Sequence, residues 1–324
     1  MVTHRLFHAH HSSRRAGATL LEVSVVIAIL AILLALLLMS VQRTRSTARK
    51  LSCTANLHQI GIAVNNYVEL HGQFPSVDTG NWATQLLPAL GYSTTLSEWK
   101  QIMAGELAFE DLTPVPIYYC PDDPEAVSMR IHPSYNMCDG ANAMQCRCFN
   151  GVFRGGSRNR SGGIDYRPVR PRDISDGMSQ TAAMSERLVC RVQPGLASDY
   201  PQLWIQLVRD TPLQYMSPSD YDAFSEDCEH RALPPGPKWH LRIESCINGV
   251  GPFYNHVMPP NHNSCSAVSP DGDYSAYTTS SRHTGGVNVL LLDGSVHFAS
   301  ENVDRSVWRA LGTRNGNESV SLPF

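Results

Sequence analysis

The sequence has no long block of lysine and arginine, and its formal net charge is −3 over 324 residues. A nucleic-acid partner calls for a concentrated basic face that releases counterions, so that class of function is set aside. No G-x-S-x-G elbow occurs, which removes the hydrolase reading that the scattered serines and Ser281-Arg282-His283 invite. Cys146-x-Cys148 is the one tight cysteine pair and no second pair answers it, so a zinc site read from spacing is poorly supported. There is also no internal repeat. Glycine (23) and proline (21) are plentiful, which predicts many loops and turns.

Nine cysteines are many for a cytosolic chain without a metal-ligand pattern. Cys53, Cys120, Cys138, Cys146, Cys148, Cys190, Cys228, Cys246 and Cys265 are read as disulfide candidates in an oxidising compartment, with at least one thiol left over. Their connectivity is open at this stage.

The first 17 residues lack acid, and the stretch after them lacks proline. Met1 to Gly17 carries Arg5, Arg14 and Arg15 without a carboxylate, and no proline occurs between Ala18 and Phe74. Val23 to Met39 is apolar apart from Ser24 and, with Ala18 to Leu21, reaches about the 20 residues that span a bilayer as helix. From Ser46 the rhythm changes. Cys53, Leu57, Ile60, Val64 and Tyr67 fall on one helical face, with His58, Gln59, Asn65, Asn66 and Glu69 between them. The spacing predicts one nearly continuous helix over 19–71, about 80 Å long at 1.5 Å per residue, stopped by His71-Gly72 and Pro75. Gly61 inside it reads as a mild weak point. The basic leader favours a cytoplasmic N-terminus, although Arg43, Arg45, Arg49 and Lys50 beyond the span weaken that argument. The cysteine count favours the C-terminal part being outside.

Gly17 followed by Ala18-Thr19-Leu20-Leu21-Glu22 and an apolar helix resembles the N-terminus of type IV prepilins and pseudopilins. The resemblance implies cleavage between Gly17 and Ala18 by a membrane aspartyl prepilin peptidase, with methylation of the new N-terminus; Ala18 stands where the family usually has Phe. It also implies assembly with other pilin-like subunits through the helix. The physics of Glu22 agrees. A carboxylate in a bilayer costs roughly 2.5–3.5 kcal/mol, and the ammonium created at Ala18 would be a partner about one turn away or on a neighbouring subunit.

The hairpin signal near the C-terminus is the clearest in the remainder. Val287 to Leu292 reads as a strand, Asp293-Gly294 as a two-residue turn, and Ser295 to Ala299 as the returning strand. His283 precedes Asp293-Gly294 by ten positions. This H-x9-D-G spacing, together with the prepilin-like N-terminus, resembles a planctomycete-type family known only as domain of unknown function 1559. Cys53-Thr54-Ala55-Asn56-Leu57, Tyr118-Tyr119-Cys120-Pro121 and the stretch from Ile174 to Thr181 with Glu186-Arg187 also carry the resemblance. It implies an exported, membrane-anchored, pilin-like protein with a β-rich head, and supplies no activity.

The expected fold class is α+β: a long N-terminal transmembrane and amphipathic helix, pilin-like, packed on an antiparallel β-rich head with many loops. The expected organisation is a cleaved leader (1–17), a transmembrane helix (18–40), its amphipathic continuation (41–72) and a head (73–324) closed by the hairpin 287–299. Within the head, Ile117 to Pro121 reads as a short strand and Thr181 to Cys190 as a buried one. Residues 133–165 read as an irregular insertion and 210–280 as loop. Asp293 is expected to shape the turn and His283 to cap the hairpin or hold a neighbouring loop, against a ligand or acid/base role. Asp271 and Asp273 form a weak calcium loop, since Asp271-Gly272-Asp273 lacks the other ligands of an EF-hand. No other cofactor is expected. His4, His8, His10 and His11 lie in the leader and read as incidental. Arg154, Arg158 and Arg160 read as a solvated surface, with an anionic glycan as the sharper alternative. The functional expectation is a non-enzymatic, single-pass inner-membrane protein with its N-terminus cytoplasmic and its head periplasmic or at the cell surface. A membrane-anchored module that binds a solute or glycan without forming filaments is the competing class.

Overall fold

The computed structural model describes residues 20–76, 81–108, 111–124, 126, 133–142, 148–153, 156–158, 164–189, 205–207, 218–230, 253–269 and 272–318. In chain order its elements are helices α1 (Leu20–His71), α2 (Trp82–Leu86) and α3 (Ser93–Met103), then strands β1 (Tyr135–Cys138), β2 (Cys148–Phe149), β3 (Gly156–Arg158), β4 (Ile164–Tyr166), β5 (Ala182–Glu186) and β6 (Ile205–Leu207). Helix α4 (Pro218–His230) precedes strands β7 (Phe253–Tyr254), β8 (Ser264–Ser269), β9 (Gly272–Ala276), β10 (Gly286–Leu291) and β11 (Val296–Ser300), and helix α5 (Arg305–Gly312) ends the fold. The chain divides into two compact units, residues 1–47 and 48–324.

In the first unit, helical residues 20–47 expose leucine, isoleucine and valine on every side. By length and composition α1 qualifies as a membrane-crossing helix.

In the second unit the predicted apolar stripe of the helix is buried. Cys53, Leu57, Ile60 and Val64 pack with Tyr135, Met137, Met184 and Leu290 in one hydrophobic layer. The sheet beneath it has the order β11-β10-β5-β1-β7. Its pairs are antiparallel except β1 with β7, so the sheet is mixed where an antiparallel one was expected. Along β10 the two-residue period separates the faces: Leu290 points to the helix, while Val287, Val289 and Leu291 join Trp308 and Leu311 of α5 in a second layer. Asp304 caps α5 by accepting from the Ser306 and Val307 amides. Gly61 faces the hairpin closely, since a Cβ there would lie 2.7 Å from Leu290 Cδ1 and 3.3 Å from Gly294 Cα. The expected weak point is a packing requirement.

Several expectations are corrected. Pro116–Tyr118 is a 3₁₀ turn and not a strand, because Pro116 opens it and fixes the first φ. The expected irregular insertion contains β1, a fully buried core strand. The expected loop 210–280 contains α4 and strands β7, β8 and β9. Of the expected strand Thr181 to Cys190, Ala182–Glu186 is strand, 187–189 is not, and Cys190 lies outside the described residues. The hairpin turn takes three residues: the Gly294 amide donates to Leu291 O and the Leu291 amide to Ser295 O. Gly294 has φ +90°, which glycine supplies without strain.

The second layer buries an ionisable group completely. His256 stacks on Trp308 at 3.9 Å between ring centroids. Its Nδ1 lies 2.6 Å from Trp308 O and its Nε2 3.1 Å from the Tyr254 hydroxyl. A neutral ring satisfies both, donating to the carbonyl and accepting from the hydroxyl. Burial pushes its pKa down to about 3, against the Trp308 carbonyl, which favours the charged form. Above about pH 6.5 both folded and unfolded states hold this ring neutral; below it the unfolded chain takes up a proton that the native ring refuses. Native stability should therefore fall between about pH 6 and about pH 5, by at most about 1.4 kcal/mol per unit from this group. Urea unfolding of the detergent-solubilised protein at the two pH values measures it, and an unchanged midpoint would contradict a neutral buried His256.

Candidate functional site

Three segments of the head converge on helical residues 49–56. They are the chain after the 3₁₀ turn, the end of β5, and the loop that enters β10. Cys53, on the buried stripe of the helix, is disulfide-bonded to Cys120. The bond closes a loop over a sequence separation of 67. The Cys120 amide donates to Ser134 Oγ, which seats that segment beside β1.

His283 lies against this cystine with its side chain 1 % exposed. Its Nε2 is 3.1 Å from Glu186 Oε1 and 3.7 Å from Cys120 Sγ, and its Nδ1 is 3.2 Å from Asp122 Oδ2. Both ring nitrogens face a carboxylate, the arrangement of an imidazolium donating twice. Burial pulls the His283 pKa down, but the hydrogen bond and charge of Glu186, with the charge of Asp122, outweigh it and hold the pKa above the usual value. Each partner is fixed in turn. Glu186 Oε2 accepts from the Asn288 amide at 2.8 Å, and Oε1 from Asn288 Nδ2 at 2.9 Å. Asn288 Oδ1 accepts from Thr54 Oγ1 of the helix at 3.2 Å. Asp122 also pairs with Arg49 of the helix. Ser281 sets the approach, donating from Oγ to Gly286 O and accepting from the His283 amide. The Sγ atoms of Cys53 and Cys120, one Glu186 oxygen and one His283 nitrogen all lie within 4.8 Å of one another, a set of metal-ligating types. With both sulfurs in a cystine, no thiolate stands beside His283 to act as nucleophile.

The two halves of the H-x9-D-G motif occupy different places. Asp293 Oδ1 accepts from the Ser295 amide and hydroxyl, and so shapes the turn. Gly294 presents its carbonyl to His58 Nδ1 of the helix at 3.0 Å. His283 lies apart from the turn, among Asp122, Glu186 and the cystine. Among the cysteines, Cys138 corrects its assignment as a disulfide candidate: it is a free, fully buried thiol donating to Gly312 O, and burial pushes its pKa up to about 12. Cys228 is disulfide-bonded. Cys148 and Cys265 are described only as strand backbone. Gly17, Ala18, Cys146, Cys190, Cys246, Asp271, Arg154, Arg160 and the leader histidines lie outside the described residues, as do the side chains of Glu22, Arg158 and Asp273. Gly272 and Asp273 pair with Ser269 and Val268 as extended backbone of β9 and β8.

Sequence reasoning missed Glu186, Asp122, Asn288 and Arg49 as parts of one cluster. The available signals were a carboxylate closing an apolar strand at Glu186 and an acid two residues after Cys120.

Residues 12–38 match the prokaryotic N-terminal methylation motif, the type IV prepilin-like signature. Comparison with curated proteins and with solved structures finds no match. A second family model covers residues 42–306, most of the chain and every residue of the cystine–histidine cluster. The protein therefore belongs to the family described as Protein of unknown function (DUF1559).

Proposed function

We propose that the protein is a non-enzymatic, membrane-anchored pilin-like subunit. Prepilin peptidase cleaves between Gly17 and Ala18, the first part of α1 spans the inner membrane once, and the head stands in the periplasm or at the cell surface. The match of residues 12–38 to the methylation motif carries this reading. An apolar helix long enough to cross a bilayer and a cystine suited to an oxidising compartment support it. Glu22 pairs with the ammonium of Ala18, on its own or a neighbouring chain, which offsets the cost of a carboxylate in lipid. Other pilin-like subunits are then partners through helical residues 18–45.

Mass spectrometry of the mature N-terminus tests the reading directly. The expected first residue is Ala18, and a start elsewhere would count heavily against it. Glu22→Gln should leave insertion intact and abolish crosslinking between cysteines placed along 18–45 of neighbouring chains. Crosslinking at the native level in that variant would overturn the pairing.

A further inference from the structure

A structural cystine needs no ionisable neighbours, yet this one is packed against a buried imidazole and a buried carboxylate, Glu186, with the partly buried Asp122 on the far side of the imidazole. We propose that the Cys53–Cys120 cystine and a divalent zinc-type metal are alternative occupants of one site, and that reduction of the disulfide converts it to a Cys53–Cys120–Glu186–His283 metal centre.

The donor set is two thiolates, an imidazole and a carboxylate, a combination that suits tetrahedral zinc. Ligand atoms around such an ion sit about 3.3–3.8 Å apart, given bonds of about 2.0–2.3 Å. Cys120 Sγ and His283 Nε2 already lie 3.7 Å apart, and His283 Nε2 and Glu186 Oε1 3.1 Å. The bonded sulfurs must separate, and all four donor atoms already lie within 4.8 Å of one another.

The surroundings match what metal ligands require. His283 uses Nε2 toward the sulfur and Glu186, while Nδ1 faces Asp122 at 3.2 Å. This is the carboxylate–histidine–metal arrangement, in which the outer carboxylate fixes the tautomer and raises ligand basicity. Asp122 is in turn held by Arg49, and Glu186 by the amide and side chain of Asn288. The oxygen lone pair that now accepts the Nε2 proton is the one that would face the metal.

The conversion balances. A dithiol supplies two electrons and two protons to the sulfurs, breaking the S–S bond and becoming a disulfide itself. Metal binding then releases three protons, one from each thiol and one from His283 Nε2. In the reverse direction a disulfide oxidant takes two electrons from the thiolates and two protons from solvent, becoming a dithiol, while the Cys53–Cys120 bond re-forms, the ion leaves and His283 Nε2 takes back a proton. Reducing conditions favour the metal and oxidising conditions the cystine.

The test uses full-length protein in detergent, reduced with a phosphine so that no competing thiol is present, with zinc ion as the probe. Alkylation of each cysteine is followed by peptide-mapping mass spectrometry, which separates Cys53 and Cys120 from the other seven. Zinc should slow alkylation of both by at least about tenfold, and block re-formation of their disulfide. Asp122→Asn, which keeps all four ligands, should raise the zinc concentration needed by about 10–100-fold. Glu186→Gln should raise it as well. Unaltered alkylation of Cys53 and Cys120 in zinc-treated wild type overturns the proposal without reference to any variant. Equal protection in wild type, Asp122→Asn and Glu186→Gln overturns it too.

Discussion

His283→Ala should destabilise the oxidised head by about 3–5 kcal/mol, the range for removing one partner of a buried ion pair. The loss does not come from apolar area. His283 is the cation between Glu186 and Asp122, and its removal leaves Glu186, 2 % exposed, facing a hole with only the two Asn288 donors. Asp122 keeps Arg49 and so contributes less to the cost. The variant also disconnects three segments far apart in the chain, because His283 touches residues 120, 122 and 186 at once. Urea unfolding of the detergent-solubilised protein, wild type against variant, gives the number. A loss below about 1 kcal/mol would mean that solvent reaches the carboxylates and that the cluster is not a buried one. Glu186→Gln in the same background is the informative companion. It removes the charge that His283 neutralised, so in His283→Ala/Glu186→Gln part of the loss should return, as the non-additivity of directly interacting residues requires.

Replacing the cystine should have an effect of similar size by another route. Cys53→Ser/Cys120→Ser opens a loop with a sequence separation of 67. Chain entropy of the unfolded state then rises by an amount worth about 4 kcal/mol, within the usual range of 2–5 kcal/mol for loss of a native disulfide. The prediction is a midpoint lowered to that extent under oxidising conditions, and little further change when reductant is added to the variant. Wild type treated with reductant in the absence of metal should approach the variant. A variant as stable as oxidised wild type would show that the helix is held by the apolar stripe alone.

The two variants test different links in one chain of cause. Cys53, Thr54 and Arg49 lie on the helix, and each is tied to the head by a different interaction: a covalent bond, a hydrogen bond to Asn288, and an ion pair with Asp122. Together with the contact of Gly61 against Leu290 and Gly294, they fix the register of helical residues 48–71 on the sheet.

What could be read from the chain alone was local. The span Val23 to Met39 is apolar in every direction, so its affinity for lipid needs no tertiary information. The stripe Cys53, Leu57, Ile60, Val64 repeats with the helical period, and that period depends only on backbone geometry. The D-G turn and the apolar strand before it are set by glycine's access to positive φ and by alternation, although the loop proved one residue longer than the turn residues suggested. The prepilin-like N-terminus is a linear motif and is legible as one. Strand β1 was not legible, because Tyr135 to Cys138 is short and covered on both faces, with polar Asn136 buried like its neighbours, so alternation carries no signal for it. Helix α4 was missed because its sequence is mostly polar and, among its described side chains, Phe224, Ser225 and Cys228 are the buried ones.

The cluster around His283 belongs wholly to the tertiary structure. Cys53, Cys120, Glu186 and His283 come from four segments, and no spacing rule relates positions that far apart. Even the pairing of Cys53 with Cys120 had many rivals among nine cysteines. The helix, the 3₁₀ turn, the end of β5 and the entry to β10 meet because each buries an apolar face against the same layer. The charges that meet there are placed by that packing and could not be read without it.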